Sequence, residues 1–203
     1  MWENLTIGLM CMNFIFDIGN VLIDFKPIPF LQKLFSEPTL EAKMYETIFK
    51  SAEWIDMDRG IVTHKDASDI FCLREPDYRA EITLTMQRLN EMLTPISDTI
   101  DLLPKLKAHG HNLYYLSNYH NELRNYVMEK YPFFSLFDGG VFSCDVQIIK
   151  PEIEIYRRLL CMYKLSPKDC VFFDDIAENV EVAMSEGING ILFTDAECVK
   201  SFL

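Results

Sequence analysis

The sequence predicts an α/β fold: a Rossmann-like parallel sheet core with a small helical cap inserted after the first strand. Three observations predict it. Short apolar runs recur and each ends in a polar group: NFIFD (13–17), HNLYYLSN (111–118), GGVFSCD (139–145), DCVFFDD (169–175) and NGILFTD (189–195). Continuous apolar runs of this length read as strands buried on both faces. Helical patterns separate them, and strands alternating with helices make a parallel sheet covered on both sides. Finally, roughly 100 residues separate Asp17 from Ser117, where a strand–helix–strand unit needs about 30 or a few more. Residues 27–95 are therefore surplus to the sheet. They are rich in helix formers and hold Phe30, Leu34, Phe49, Trp54, Ile70, Phe71, Leu89 and Met92. They read as a helical cap over the active end of the sheet, placed to act as a lid. Residues 12–26 and 96–203 then form the core.

The helices between the strands carry their own signals. Residues 151–164 open with Pro151, a favoured first helical residue, and Ile153, Tyr156, Leu159, Leu160 and Tyr163 form one apolar stripe. Residues 176–186 place Ile176, Val180, Ala183 and Met184 on one face, with Gly187 as the stop. Residues 120–130 group Leu123, Tyr126 and Val127, and Pro132 ends that pattern. Residues 97–109 run toward Gly110, with Pro104 kinking or restarting the helix. Parallel sheets bind ligands at the carboxyl ends of their strands. There the sequence puts Asp17, Ser117 with Asn118, Asp145, and Asp174 with Asp175.

Composition narrows the function. The 203 residues allow one domain, or one domain with a sizeable insert. With 49% hydrophobic and 25% charged residues, the chain is neither disordered nor a small disulfide scaffold. A net charge of −12 argues against nucleic-acid binding, which needs a basic face. An anionic substrate then requires a local positive centre, a metal or one well-placed Lys. The six cysteines form no CxxC pair and read as reduced thiols of a cytoplasmic protein. No run of 18 uncharged apolar residues is long enough to span a membrane. The start, MWENLTIGLMCM, lacks the basic region of a signal peptide. Because Met12 stands just before the first strand, residues 1–11 read as an upstream start or a loose extension. A monomer or weak homodimer is expected.

Four motifs carry the chemistry. Asp17-Ile18-Gly19-Asn20-Val21, closing with Asp24, sets a carboxylate at the end of a buried strand. Such a carboxylate needs a partner, a metal ion or a plain turn. Ser117-Asn118 offers a hydroxyl and an amide before a helix, as a phosphate cradle or as an ordinary cap. Lys150-Pro151 presents a cation ahead of a helix, for a phosphate or for solvent. Asp174-Asp175 places two carboxylates side by side, which repel unless a cation is present. Asn179, one helical turn on, is positioned to orient Asp175.

Together, FDIGNVLID, LSN, KP and VFFDDIAEN resemble the four motifs of the haloacid dehalogenase-like hydrolase superfamily. The resemblance runs from Met12 to the end and includes the cap. It is nearest to the branch holding bacterial α-glucose-1-phosphate phosphatase and the phosphatase domain of soluble epoxide hydrolase. It implies Asp17 as nucleophile, forming a transient aspartyl-phosphate. It implies Mg²⁺ held by Asp17, the Gly19 carbonyl and Asp175, with Asp174 supporting or sharing the shell. Ser117, Asn118 and backbone amides near Ile18 and Gly19 would hold the phosphoryl oxygens, and Lys150 would neutralise charge. The implied partner is a small phosphorylated metabolite, such as a hexose 1-phosphate.

One position departs from the family pattern. Two residues after the nucleophile most family phosphatases carry a second Asp as general acid/base, worth ~10²–10⁴-fold in rate; here it is Gly19. Three resolutions stand open: an acidic leaving group such as an anomeric oxygen, a substitute such as Asp24, His120 or a cap residue, or lost catalysis. The resemblance favours the first, since the similar glucose-1-phosphate phosphatase shares the GNV form. His120, two residues past Asn118, reads more readily as a solvent-facing helix start than as a residue that touches substrate. Trp54, Asp56 and Arg59, in EWIDMDRG, read as packing and surface as readily as pocket residues. Competing readings are a dehalogenase, a phosphonatase using Lys33, Lys43, Lys50 or Lys65, and a catalytically impaired phosphate-binding protein.

Overall fold

A computed structural model describes residues 11–203. The reading of residues 1–11 as an extension lies outside the described residues, Cys11 excepted. Strands β1 (Asn13–Phe16), β2 (Asn112–Ser117), β3 (Gly139–Phe142), β4 (Cys170–Asp174) and β5 (Asn189–Leu192) form one sheet in the order β3-β2-β1-β4-β5. Every pairing is parallel. Side chains alternate across β1 and β4. Phe14, Phe16, Val171 and Phe173 pack on one face, and Ile15, Cys170 and Phe172 on the other. Phe16 is level with Tyr115 on β2 and Phe173 on β4. The polar residues that end these three neighbouring strands therefore emerge at one edge. Strand order reverses at β1, so the crevice that parallel sheets offer to ligands opens at that edge.

Five α-helices fill the insert at residues 27–95: α1 (Pro27–Leu34), α2 (Pro38–Met44), α3 (Ala52–Asp58), α4 (His64–Arg74) and α5 (Arg79–Gln87). Pro27 and Pro38 open α1 and α2. Ser51 caps α3 by accepting the Trp54 N–H at 3.1 Å, and Thr63 caps α4 by accepting the Asp66 N–H at 3.1 Å. Phe30, Leu31, Met44, Ile48, Met57, Phe71 and Ile82 are buried in the same apolar cluster as Phe16 and Phe173. The insert thus shares the core of one sheet face.

The remaining helices are α6 (Ser97–Ile100), α7 (Leu103–Ala108), α8 (Asn121–Lys130), α9 (Ser143–Val146), α10 (Ile153–Tyr163), α11 (Ala177–Ser185) and α12 (Glu197–Lys200). Pro104 sits in the first turn of α7, so the 97–109 pattern is two helices rather than one kinked helix. Gly187 follows α11 with φ +82°, the left-handed stop expected there.

Several expectations are corrected. Pro151 does not open a helix: it lies in a turn, and α10 begins at Ile153. Ile155 joins Tyr156 and Leu159 as the fully buried residues of α10, while Ile153, Leu160 and Tyr163 are half-buried. Ile176 and Met184 are exposed, and Asn179 takes a buried place on α11 beside Val180 and Ala183. GGVFSCD is strand only to Phe142, and its Asp145 pairs with Arg124 at 2.6 Å away from the crevice. β5 is an edge strand, half-exposed rather than buried on both faces.

Three consecutive residues dock the end of α3 onto the core. The Asp58 carbonyl accepts the Ser143 hydroxyl. The Arg59 guanidinium makes two bonds to Glu152, at 2.9 and 2.6 Å. Gly60 has φ +74°, and a Cβ there would stand 2.5 Å from the Cys144 carbonyl oxygen. All six cysteines are free thiols. Among the described residues no helix is long and apolar enough to cross a bilayer. Gly60→Ala is expected to destabilise the chain by more than ~1 kcal/mol, since both φ and space exclude a side chain. Thermal unfolding checks this, and an unchanged midpoint contradicts it.

Candidate active site

Asp17 is 7% exposed and follows β1 directly, its N–H bonded to the Phe173 carbonyl at 2.9 Å. Its Oδ1 accepts three bonds: Ser117 Oγ at 2.6 Å, Ile18 N–H at 2.7 Å and Lys150 Nζ at 2.9 Å. Among the described residues Oδ2 accepts none. The carboxylate is therefore anchored by one oxygen and presents the other. Ser117 stands at the end of β2, so the pairing of β1 with β2 sets this contact.

Lys150 is 4% exposed, not the solvated lysine its position before a turn also allows. Its ammonium lies 2.6 Å from Asp174 Oδ2 as well as 2.9 Å from Asp17. Burial lowers its pKa, but Asp17 and Asp174 more than offset this and hold it above the usual value. Asn118 fixes the lysine's main chain: its Nδ2 donates to the Lys150 carbonyl at 2.9 Å and its Oδ1 accepts the Lys150 N–H at 2.8 Å. The Asn118 side chain, expected on phosphoryl oxygens, makes this clamp and also lines the cavity, with a second Nδ2 proton beyond it.

Asp174 ends β4 and is fully buried. Its Oδ1 accepts Ile176 N–H at 2.8 Å and Asn179 Nδ2 at 3.0 Å. Asn179 thus orients Asp174, not Asp175, because the helical turn carries its amide beneath the strand end. Asp175 is half-buried and takes its bond from Asn20 Nδ2 at 3.0 Å. Asn20, left unassigned by the sequence, adopts φ +54° and also accepts the Phe25 N–H at 3.0 Å.

One carboxylate oxygen from each of Asp17, Asp174 and Asp175 lies within 4.8 Å of the other two. Burial pushes Asp17 up to about 7, against the pull of Lys150, and raises Asp175 as well. Three clustered acids facing one ammonium are short of positive charge, and an all-oxygen donor set suits a hard divalent cation. The residues present therefore fit Mg²⁺.

Asp17, Lys150 and Asp175 line one cavity of about 210 Å³ with Gly19, Asn20, Ser117 and Asn118, and Asp174 is buried behind its surface. Phe25, Trp54, Tyr119, Leu123 and Ile176 form its apolar wall. His120 also lines it, buried at 2% exposure and not facing solvent. Its ring packs edge-on to Trp54 at 5.1 Å and its Nδ1 lies 3.7 Å from Glu122 Oε2, while Nε2 has no hydrogen-bond partner among the described residues. Asp24 is held elsewhere, by Lys26 and by Thr94. Of EWIDMDRG, Trp54 and Asp58 line the cavity, whereas Arg59 docks on Glu152. Asp58 went unnamed in the sequence. Trp54 and Asp58 are four residues apart on α3 and share a face, and that spacing was the available signal.

Replacing Lys150 by Met leaves two buried carboxylates without their counter-charge. Lys150→Met is expected to cost ~3–5 kcal/mol in urea unfolding, and near-wild-type stability contradicts the ion triad. Mg²⁺ at 100 times its Kd is expected to stabilise the wild type by about 2.7 kcal/mol. Asp175→Asn should reduce that gain, and an equal thermal shift in both proteins removes Asp175 from the cation site.

The haloacid dehalogenase-like hydrolase family model matches residues 11–185. A sesquiterpene phosphatase of Aspergillus oryzae is 29% identical over 196 residues, covering 94% of this chain and 96% of that protein. A flavin mononucleotide hydrolase of Arabidopsis thaliana is 24% identical over 150 residues, covering 74% of this chain and 60% of that protein. A HAD family enzyme of Bacteroides thetaiotaomicron, solved with magnesium and inorganic phosphate, shares the fold. Its TM-score is 0.68 at 21% identity, covering 88% of this chain and 91% of that one. With the strand-end acids, the lysine and the topology in place, the chain belongs to the haloacid dehalogenase-like hydrolase family.

Proposed function

We propose that the chain is a Mg²⁺-dependent phosphatase that hydrolyses a small phosphate monoester, such as a hexose 1-phosphate, through an aspartyl-phosphate on Asp17. One observation carries the reading. Asp17 is pinned through Oδ1 by Ser117, Ile18 and Lys150, and keeps Oδ2 free beside a cluster of acids suited to a cation. A carboxylate held in this way is a positioned nucleophile, and phosphoryl transfer depends mostly on positioning and electrostatics.

Asp17, Asp174 and Asp175 would hold the cation, with the Gly19 carbonyl at the same edge; when bound, Mg²⁺ supplies positive charge to the phosphoryl oxygens. Lys150 pulls Asp17 toward its ionised form, against burial, and offers its charge to the transferring group. Ser117 orients the attacking carboxylate. The apolar wall of Phe25, Trp54, Leu123 and Ile176 excludes water around the reacting centre.

The cavity, about 210 Å³, falls below the roughly 300–1,000 Å³ of sites for drug-sized ligands. A compact substrate suits it better than a nucleotide. The Nε2 of buried His120, without a partner among the described residues, favours a body that carries a hydroxyl, since a buried polar group left unpaired costs ~1–3 kcal/mol. The phosphonatase reading has no support: Lys33, Lys43, Lys50 and Lys65 do not line the cavity, and Lys43 and Lys65 are paired with Glu75 and Asp69.

A panel of sugar phosphates, nucleotides and small phosphomonoesters, with and without Mg²⁺, tests the proposal. Turnover is expected on compact phosphomonoesters only with the cation. Asp17→Asn should lower it by at least ~10³-fold. No hydrolysis of any panel member, or full activity of Asp17→Asn, overturns the reading.

A further inference from the structure

Gly19 leaves the site without the carboxyl that most family phosphatases carry two residues past the nucleophile. We propose that Asp58, delivered from α3 of the helical insert, is the general acid/base of this reaction. The proposal rests on the phosphatase reading above and names a catalytic residue for it.

Position is the first argument. Asp58 lines the same cavity as Asp17, Lys150 and Asp175. It is the last residue of α3, and the chain from its carbonyl onward is fixed to the core. Its own carbonyl is held by Ser143 Oγ, which in turn accepts the Tyr119 N–H at 2.9 Å. Arg59 is held by both carboxylate oxygens of Glu152, and Gly60 lies against the Cys144 backbone. A group that transfers protons must be held close to its working geometry, and these contacts hold it.

The electrostatic setting agrees. Burial pushes the Asp58 carboxyl up to about 6, against the pull of His120, Lys150 and the Trp54 side chain. Both protonation states are then accessible near neutrality, as proton transfer in both directions requires. The groups facing it are His120 ahead of α8, Lys150 after β3, Tyr119 after β2 and Trp54 on α3 itself. The other carboxylate raised by the sequence, Asp24, lies outside the cavity.

The chemistry balances. Asp17 Oδ2 attacks phosphorus; the new O–P bond forms as the bond to the leaving oxygen breaks. The Asp58 carboxylic acid gives its proton to that oxygen, releasing an alcohol and leaving a carboxylate. Asp58 then takes a proton from water as the water oxygen bonds to phosphorus. The O–P bond to Asp17 breaks, which returns phosphate, ionised Asp17 and protonated Asp58. With an acid in place, the enzyme does not depend on an acidic leaving group, and hexose 6-phosphates fall within its chemistry as well as hexose 1-phosphates.

Leaving-group dependence tests this. Nitrophenyl phosphate departs without a proton, whereas a hexose 6-phosphate needs one. With Mg²⁺, Asp58→Asn is expected to release a rapid burst of nitrophenol of about one equivalent per enzyme, then turn over slowly. On hexose 6-phosphate it is expected to lose ~10²–10³-fold with no burst. A double variant, Asp58→Asn with Gly19→Asp, should regain turnover of the 6-phosphate. Room exists for it, because the nearest heavy atom to a Cβ at Gly19 is Phe25 Cβ at 4.0 Å.

Thermal unfolding confirms that each variant is folded. A folded Asp58→Asn that loses less than about threefold on the 6-phosphate, or loses equally in the burst and on the 6-phosphate, overturns the proposal. So does a folded double variant without recovery, or the same selective pattern in His120→Gln alone. A wild type that is inert on nitrophenyl phosphate overturns the phosphatase reading instead.

Discussion

The Lys150 ammonium, buried between Asp17 and Asp174, is the interaction on which the site depends. Two carboxylates at the ends of adjacent strands would repel in a low-dielectric setting, and the lysine is the positive charge set between them. Much of the surrounding polar structure serves that pair. Asn118 fixes the lysine's main chain, Asn179 and the Ile176 N–H satisfy Asp174, and Ser117 and the Ile18 N–H satisfy Asp17. The one ammonium does not neutralise Asp175 as well. That residual charge is what makes the cluster suited to a divalent cation.

The insert bears on this centre because it is built into the same core. Its apolar residues join the cluster beneath one sheet face, and Asp58, Arg59 and Gly60 seat the end of α3 beside the crevice. The cavity therefore has two characters. Its floor is the charged edge of the sheet, and its wall is the apolar face of Phe25, Trp54, Leu123 and Ile176, with His120 and Asp58 as polar groups. A charged floor suits a phosphoryl group, and a small apolar wall limits what is attached to it.

Much of the floor was legible in the chain. Asp17, Ser117, Lys150, Asp174 and Asp175 stand out because each follows a buried run or precedes a proline, and parallel strands deliver their ends to one edge. What each side chain touches was less legible. Asn179 reads as a partner of Asp175 by spacing, yet it bonds Asp174, since the turn between β4 and α11 sets the phase of the helix. Asn118 reads as a phosphate ligand, and nothing in the chain signals that it also clamps Lys150, a residue 32 positions away. Lys150 itself reads as exposed as readily as buried, and only the packing of its loop against Phe172 and the strand ends makes it buried.

The sequence by itself determined the order of strands and helices, the surplus segment after the first strand, and the acids and lysine of the crevice. These follow from apolar run length, periodicity and turn chemistry, which are local in the chain. Tertiary structure alone decided that His120 is buried, that Asp58 rather than Asp56 meets the cavity, and that β5 is a half-exposed edge. Each of these depends on which face of an element meets a distant neighbour. That is fixed by long-range packing and by how charges share partners in a dry interior, not by neighbours in sequence.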